Sequence, residues 1–211
     1  MSTLSQLISR IALELGDAEH AIWSEEALTA HLRRALEAYS RIDPRRLDAV
    51  IQTEADTREY PLANLGPFLE ITDLWYPYNP SAPQHPPERP EWALILSKTF
   101  YLGVSEAPSG AESIRLFYTA PHTIAGLDGA TETTLDAEGE GIVVLGAGAY
   151  AVEARAQALM GAVTVSSETP GQLVAWAEAR MRRFAEALQE VRRRRMAAMD
   201  ARVAVAIETT L

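Results

Sequence analysis

The chain has 211 residues, 47% hydrophobic and 23% charged, an ordinary globular composition with enough length for one domain and a real core. It contains no cysteine, which excludes disulfides, thiol catalysis, cysteine zinc sites and iron–sulfur centres. Its net charge of −10 argues against a general nucleic-acid binder. The charge is unevenly spread: residues 169–211 hold eight Arg against five acids, while the rest holds eleven Lys plus Arg against twenty-four acids. The N-terminus lacks the pattern of a signal peptide, and no uninterrupted apolar run is long enough to span a bilayer, so no membrane role is expected.

The first helix is expected over Thr3–Leu15, where Leu4, Leu7, Ile8, Ile11 and Leu15 share a face before Gly16. A second starts at the cap Ser24. Trp23 is placed to staple onto Leu28, and Glu25 and Glu26 sit in the positive first turn. Leu28, Leu32, Ala35, Tyr39 and Ile42 form its buried stripe, and Pro44 ends it. A short loop between two amphipathic helices implies an antiparallel hairpin.

The period then changes. Val50–Thr53, Arg58–Leu62, Leu69–Tyr76, Trp92–Leu96, Thr99–Val104 and Glu112–Thr119 read as strands. Strands in series imply a small antiparallel sheet. Between them, residues 77–91 crowd Pro77, Pro80, Pro83, Pro86, Pro87 and Pro90 into a loop of polyproline character. It reads equally as a plain connection or as a contact arm to a neighbouring subunit.

Helix resumes near Glu138 and runs to about Val165. A longer one comes after it, from Thr169 to about Met199. Leu173, Ala177, Met181, Phe184, Leu188 and Val191 form its stripe; Thr169, Pro170 and Gln172 mark its start. Its far end carries Arg192, Arg193, Arg194 and Arg195, which reads either as a solvated face suited to the helix dipole or as a contact to phosphate or an acidic partner. Beyond it Val203, Val205 and Ile207 alternate with Arg202, Ala204 and Ala206, a strand-like tail over residues 200–211 that would add to another chain's sheet.

The sum is an α+β chain. A single domain spans residues 1–199, with helical parts 1–47 and 138–199 around a β-rich insertion, 48–137. No histidine pair among His20, His31, His85 and His122 has metal-ligand spacing, and no nucleophile elbow or P-loop is present, so no cofactor, metal or catalytic residue is assigned. His122, in a loop, reads as hydrogen-bonded to backbone. One motif competes. Ile142 to Ala151 matches G-x-G-x-x-A after an apolar run, with Glu168 about twenty residues on. A nucleotide (NAD or FAD) enzyme built on Gly146 and Gly148 is therefore the alternative. The absence of further alternating strands and helices weighs against it, and small residues there also suit close helix packing.

The order of features resembles the head-to-tail adaptor (head-completion) proteins of tailed bacteriophages. The resemblance lies in Ile22-Trp-Ser-Glu-Glu-Ala-Leu28, Tyr39-Ser-Arg-Ile-Asp-Pro44, Thr57-Arg-Glu-Tyr-Pro-Leu62 and Leu69-Glu-Ile-Thr-Asp-Leu-Trp-Tyr-Pro77. It continues in Ile114-Arg-Leu-Phe-Tyr-Thr-Ala-Pro-His-Thr-Ile124 and Val143-Val-Leu-Gly-Ala-Gly-Ala-Tyr150. It implies a non-enzymatic virion protein, assembled in the host cytoplasm, forming a ring of typically twelve subunits between portal and tail. It also implies contact with the portal, with a stopper or tail protein, and with double-stranded DNA that passes through the ring without sequence-specific binding. By the same resemblance Arg192–Arg195, Arg202, Val203, Val205 and Ile207 face the portal. An acidic channel wall suits passage, because carboxylates repel the duplex where Lys and Arg would hold it.

Overall fold

The computed structural model describes residues 2–84, 87–96, 99–160 and 168–208, with side chains described up to residue 198 except those of 160 and 168–170. His85, Pro86 and Lys98 lie outside it, as does the expected end of the first C-terminal helix at Val165. The chain divides into two compact units, Met1–Asp43 with His122–Leu211, and Pro44–Pro121.

The first unit is helical. Its helices are α1 (Leu4–Glu14), α2 (Glu25–Ile42), α3 (Ala137–Met160) and α4 (Glu168–Glu208). Thr3 caps α1 in a reciprocal box with Gln6, and Ser24 caps α2 by accepting from the Ala27 amide. Trp23 and Leu28 on either side of that cap are both buried, as a staple requires. The connection between α1 and α2 is held by one carboxylate. Asp17 accepts from the amides of Ala21, Ile22 and Trp23 at 2.8, 2.9 and 2.8 Å. The Trp23 amide above all, with those of Ile22 and Ala21, holds the Asp17 carboxyl below its ordinary value.

Leu7, Ile11, Leu28, Leu32, Ile124, Leu135 and Val143 are fully buried in one core. Each such side chain contributes about 1.5–3 kcal/mol of transfer free energy. The 121–136 loop is thus part of the core, through Ile124, Leu127 and Leu135. Although Glu138, Glu140, Glu153 and Arg155 interrupt its apolar run, α3 is long and apolar enough to cross a bilayer by length and composition. Most of it is buried in this unit, against α1, α2 and α4. A helix with neighbours on several sides is apolar around most of its circumference.

The second unit holds six strands in two three-stranded antiparallel sheets: β1 (Arg45–Gln52), β2 (Glu59–Pro61), β3 (Glu70–Tyr78), β4 (Glu91–Ile95), β5 (Thr99–Gly103) and β6 (Ser113–Ala120). The orders are β1-β6-β3 and β2-β5-β4. The expected single sheet is therefore two, and they share one core of Tyr60, Leu62, Ile71, Leu74, Phe100, Leu102, Ile114 and Leu116. β6 is central, pairing Ile114 with Ile51 and Leu116 with both Ala49 and Leu74. β1 starts five residues earlier than expected, because Pro44 ends α2 and the chain becomes extended at once.

The C-terminus departs from the sequence reading. The alternation of Val203, Val205 and Ile207 suggests an extended tail, yet the backbone is helical to Glu208. The intervening residues are mostly alanine, the best helix former, and a helix already nucleated needs only one hydrogen bond for each residue it adds. α4 also begins at Glu168, ahead of the expected cap at Thr169.

Asp17→Asn is expected to lower the melting temperature while leaving the helical signal intact. Because the folded-state pKa of Asp17 is depressed, its stabilisation is present above the ordinary carboxylate pKa and is lost as pH falls through the lowered value. Urea titrations of both proteins at neutral and acid pH check this: the gap between them should narrow in acid, and a gap that is constant with pH counts against the assignment.

Candidate functional site

Gly146 and Gly148 lie inside α3, and the apolar run before them is helix rather than strand. A dinucleotide turn needs a strand ending where a helix begins, so the expected geometry is missing. The glycines serve packing. A Cβ on Gly146 would lie 2.6 Å from the Phe184 ring, and one on Gly148 would lie 2.6 Å from Arg180 Nη2. Phe184 is buried against the edge of Tyr150, with ring centroids 5.8 Å apart. The motif is thus the groove in α3 that admits α4.

Among the described residues no group of three or more His, Asp or Glu side chains is placed to hold a metal ion. His122 is anchored as the loop reading expected. Its Nε2 lies 2.9 Å from the Asp43 carbonyl, its Nδ1 3.2 Å from the Thr134 carbonyl, and its amide donates to Ser40 Oγ at 3.0 Å. His20 Nδ1 lies 3.1 Å from the Trp23 carbonyl. Burial, with Arg34 beside it, lowers the His31 pKa.

The arginine run at the end of α4 meets α2 and α3 in one junction. Arg194 pairs with Glu138 in the first turn of α3 through both guanidinium ends; its Nη1 lies 3.1 Å from Glu138 Oε2. Arg194 Nε also lies 3.8 Å from Glu190. Arg195 donates from Nη1 to the Ile42 carbonyl at 2.6 Å. That carbonyl ends α2, where backbone acceptors lack helical partners and the dipole is negative, so a cation fits. Arg193 pairs with Glu190 one turn earlier at 2.7 Å. Arg192 is exposed.

Beneath the junction lies Tyr39. Burial, with Asp43, Asp136 and Glu138 nearby, pushes its pKa up to about 12. Arg194 and Arg195, expected to face a partner, are thus engaged within their own unit. Arg202, Val203, Val205 and Ile207 lie on the helical end of α4, with side chains outside the described residues. Glu138 and the Ile42 carbonyl escape sequence reasoning, because pairs 56 and 153 residues apart leave no mark in a single chain.

The second unit carries an exposed apolar strand. All five residues of β4 are exposed. Trp92 pairs with Leu102 and Leu94 with Phe100, so they share the core-facing side of the sheet. Yet Trp92 and Leu94 are 36% and 40% exposed, whereas Phe100 and Leu102 are fully buried. The opposite side of β4 shows Ile95 at 37%, and Leu96 next to it is 89% exposed. β4 is also an edge strand. Edges are ordinarily protected by charge, proline or a bulge, and between Trp92 and Leu96 this one has none. On the other sheet, Arg115 sits over Trp75, Tyr78 and Phe117 at 5.0–5.4 Å and pairs with Asp48 at 2.9 Å.

These contacts have two measurable outcomes. Gly146→Val should destabilise the protein by about 2 kcal/mol, since overpacking costs about 1–3 kcal/mol. Valine and glycine differ little in helix propensity, so the change reads the clash. A melting temperature equal to wild type would show that α4 is not seated in this groove. Tyr39, whose folded-state pKa is raised, contributes stability that is fully present below about pH 10 and lost as pH rises through about 12. Tyr39→Phe should unfold later than wild type in alkali, and equal alkaline midpoints would contradict the shift.

No family model matches the chain, and no curated protein matches it. Among solved structures it is similar to a chain in the neck of an empty GTA particle computed with C6 symmetry, at 16% identity and a TM-score of 0.32, covering 70% of this chain and 76% of that one. It is also similar to a chain in the neck of a native GTA particle computed with C12 symmetry, at 16% identity and a TM-score of 0.29, covering 71% and 79%. A likeness with so low an overlap carries no functional argument.

Proposed function

We propose that this chain is a structural neck protein of a tailed, phage-like particle, assembling into a ring between portal and tail. The observation that carries the reading is β4, an edge strand with Trp92 and Leu94 on one side and Ile95 on the other, all open to solvent. A strand of that kind is a template for another chain and belongs in an assembly. The resemblance to head-to-tail adaptors supplies the particular assembly. A closed ring needs two different patches on each subunit. The helical unit and the β unit offer surfaces of different chemistry, and the proline-rich stretch 77–91 adds a third element for contact.

The remaining roles extend that reading. Twelve copies form the ring, and the α4 end, with Arg192, Arg193, Arg202, Val203, Val205 and Ile207, meets the portal. The acidic body lines a passage for double-stranded DNA, which carboxylates repel and so leave free to slide. A stopper or tail protein binds the opposite side. Nothing in this reading calls for catalysis or a cofactor. The alternative built on Gly146 and Gly148 loses its support, because a helical groove filled by Phe184 and Arg180 has no room for a pyrophosphate.

Electron microscopy and native mass spectrometry of the full-length protein, alone and with its cognate portal, test the proposal. A closed ring that docks on the portal is expected, and removing residues 200–211 should abolish docking while the fold survives. A protein that stays monomeric with portal present, or that binds NAD or FAD saturably, would overturn it.

A further inference from the structure

We propose that Arg194 and Arg195 are positioning residues: together they form a clasp that fixes the direction in which the end of α4 leaves the helical unit. The inference deepens the neck reading, on which the destination of that helix rests, and it reassigns two arginines from partner contact to aiming.

Three observations place the clasp. Val191 is the last buried apolar residue of α4 among the described residues, and Met196 beyond it is 54% exposed. Between them the two arginines hold different helices. Arg194 grips Glu138, the second residue of α3, and Arg195 grips the carbonyl of Ile42, the last residue of α2. Two anchors on two helices fix a direction, whereas one anchor leaves a pivot. The bidentate Arg194–Glu138 pair also resists rotation about the α4 axis, because its two parallel bonds set a plane.

Geometry makes the aim matter. Helix continues from Met196 to Glu208. At 1.5 Å per residue that is about 20 Å of lever, so a swing of about 10° displaces its tip by roughly 3–4 Å. Contacts between proteins are specified within about an ångström, and a symmetric ring requires each copy to point alike. Neither arginine needs to add much stability to do this. Arg194 and Glu138 are 52% and 53% exposed, where water screens an ion pair.

The absence of cysteine permits a direct test. Spin labels on cysteines introduced at Ala30 in α2 and Ala204 in α4 report the direction of the lever in the isolated full-length protein. Wild type should give one narrow distance distribution. Arg194→Ala/Arg195→Ala should broaden it or shift it by several ångströms, with the circular dichroism melt still cooperative. The exchange Glu138→Arg/Arg194→Glu, with Arg195 kept, should restore the narrow distribution. An unchanged distribution in the double-alanine protein overturns the clasp. So does an exchange that stays broad, and so does loss of cooperative folding, since the arginines would then hold the unit together rather than aim its end. The measurement needs no ring or portal, so failure of the neck reading leaves it standing, and its own failure leaves ring formation to be judged separately.

Discussion

The close approach of α3 and α4 is the constraint on which the helical unit depends. Gly146 and Gly148 remove the side chains that would hold the helices apart, and Phe184 and Arg180 occupy the space. Seating Phe184 against Tyr150 brings the stripe of α4 onto α3 and carries Arg194 and Arg195 to the ends of α3 and α2. The junction over Tyr39 is thus a downstream result of two missing methyl groups. The same glycines imitate a nucleotide fingerprint in one dimension. In three dimensions the distinction is plain, because a phosphate site uses glycine at the end of a strand, where backbone amides are unpaired, whereas these amides lie within a continuous helix.

The two units solve burial differently. In the helical unit α3 is enclosed on several sides, and polar needs are met by single side chains with several partners, such as Asp17 with three amides and His122 with both ring nitrogens engaged. In the β unit the core stops at β5. β4 lies in register with Phe100 and Leu102, yet Trp92 and Leu94 stay 36% and 40% exposed where their partners are fully buried. The β unit thus presents an apolar strand that is open to solvent.

Much of this is legible in the residues. The stripes of α1 and α2, the Ser24 cap, the Trp23–Leu28 staple and the backbone role of His122 are set by contacts within a few turns of chain, where periodicity and capping chemistry speak directly. What is illegible depends on distant partners. Two sheets rather than one result from β6 pairing with β1 and β3, choices made across 35 to 75 residues. The alternation at Val203–Ile207 misleads because a period of two means little in a segment only five residues long, where alanine spacers favour helix equally. The arginine run is visible as a patch, but which members face inward is decided by Glu138 and by the end of α2. No single-chain signal marks either.

The largely apolar surface of α3 has a consequence for biosynthesis. Its cover is drawn from both sides in sequence: α1 and α2 precede it, while Phe184 and Val191 arrive with α4. At about 5–20 residues per second, the roughly 50 residues between the end of α3 and the end of α4 take several seconds to emerge from the ribosome. Throughout that interval the nascent chain displays a greasy rod whose last wall has not been made. Such transiently exposed apolar surface is prone to aggregate until the last wall arrives.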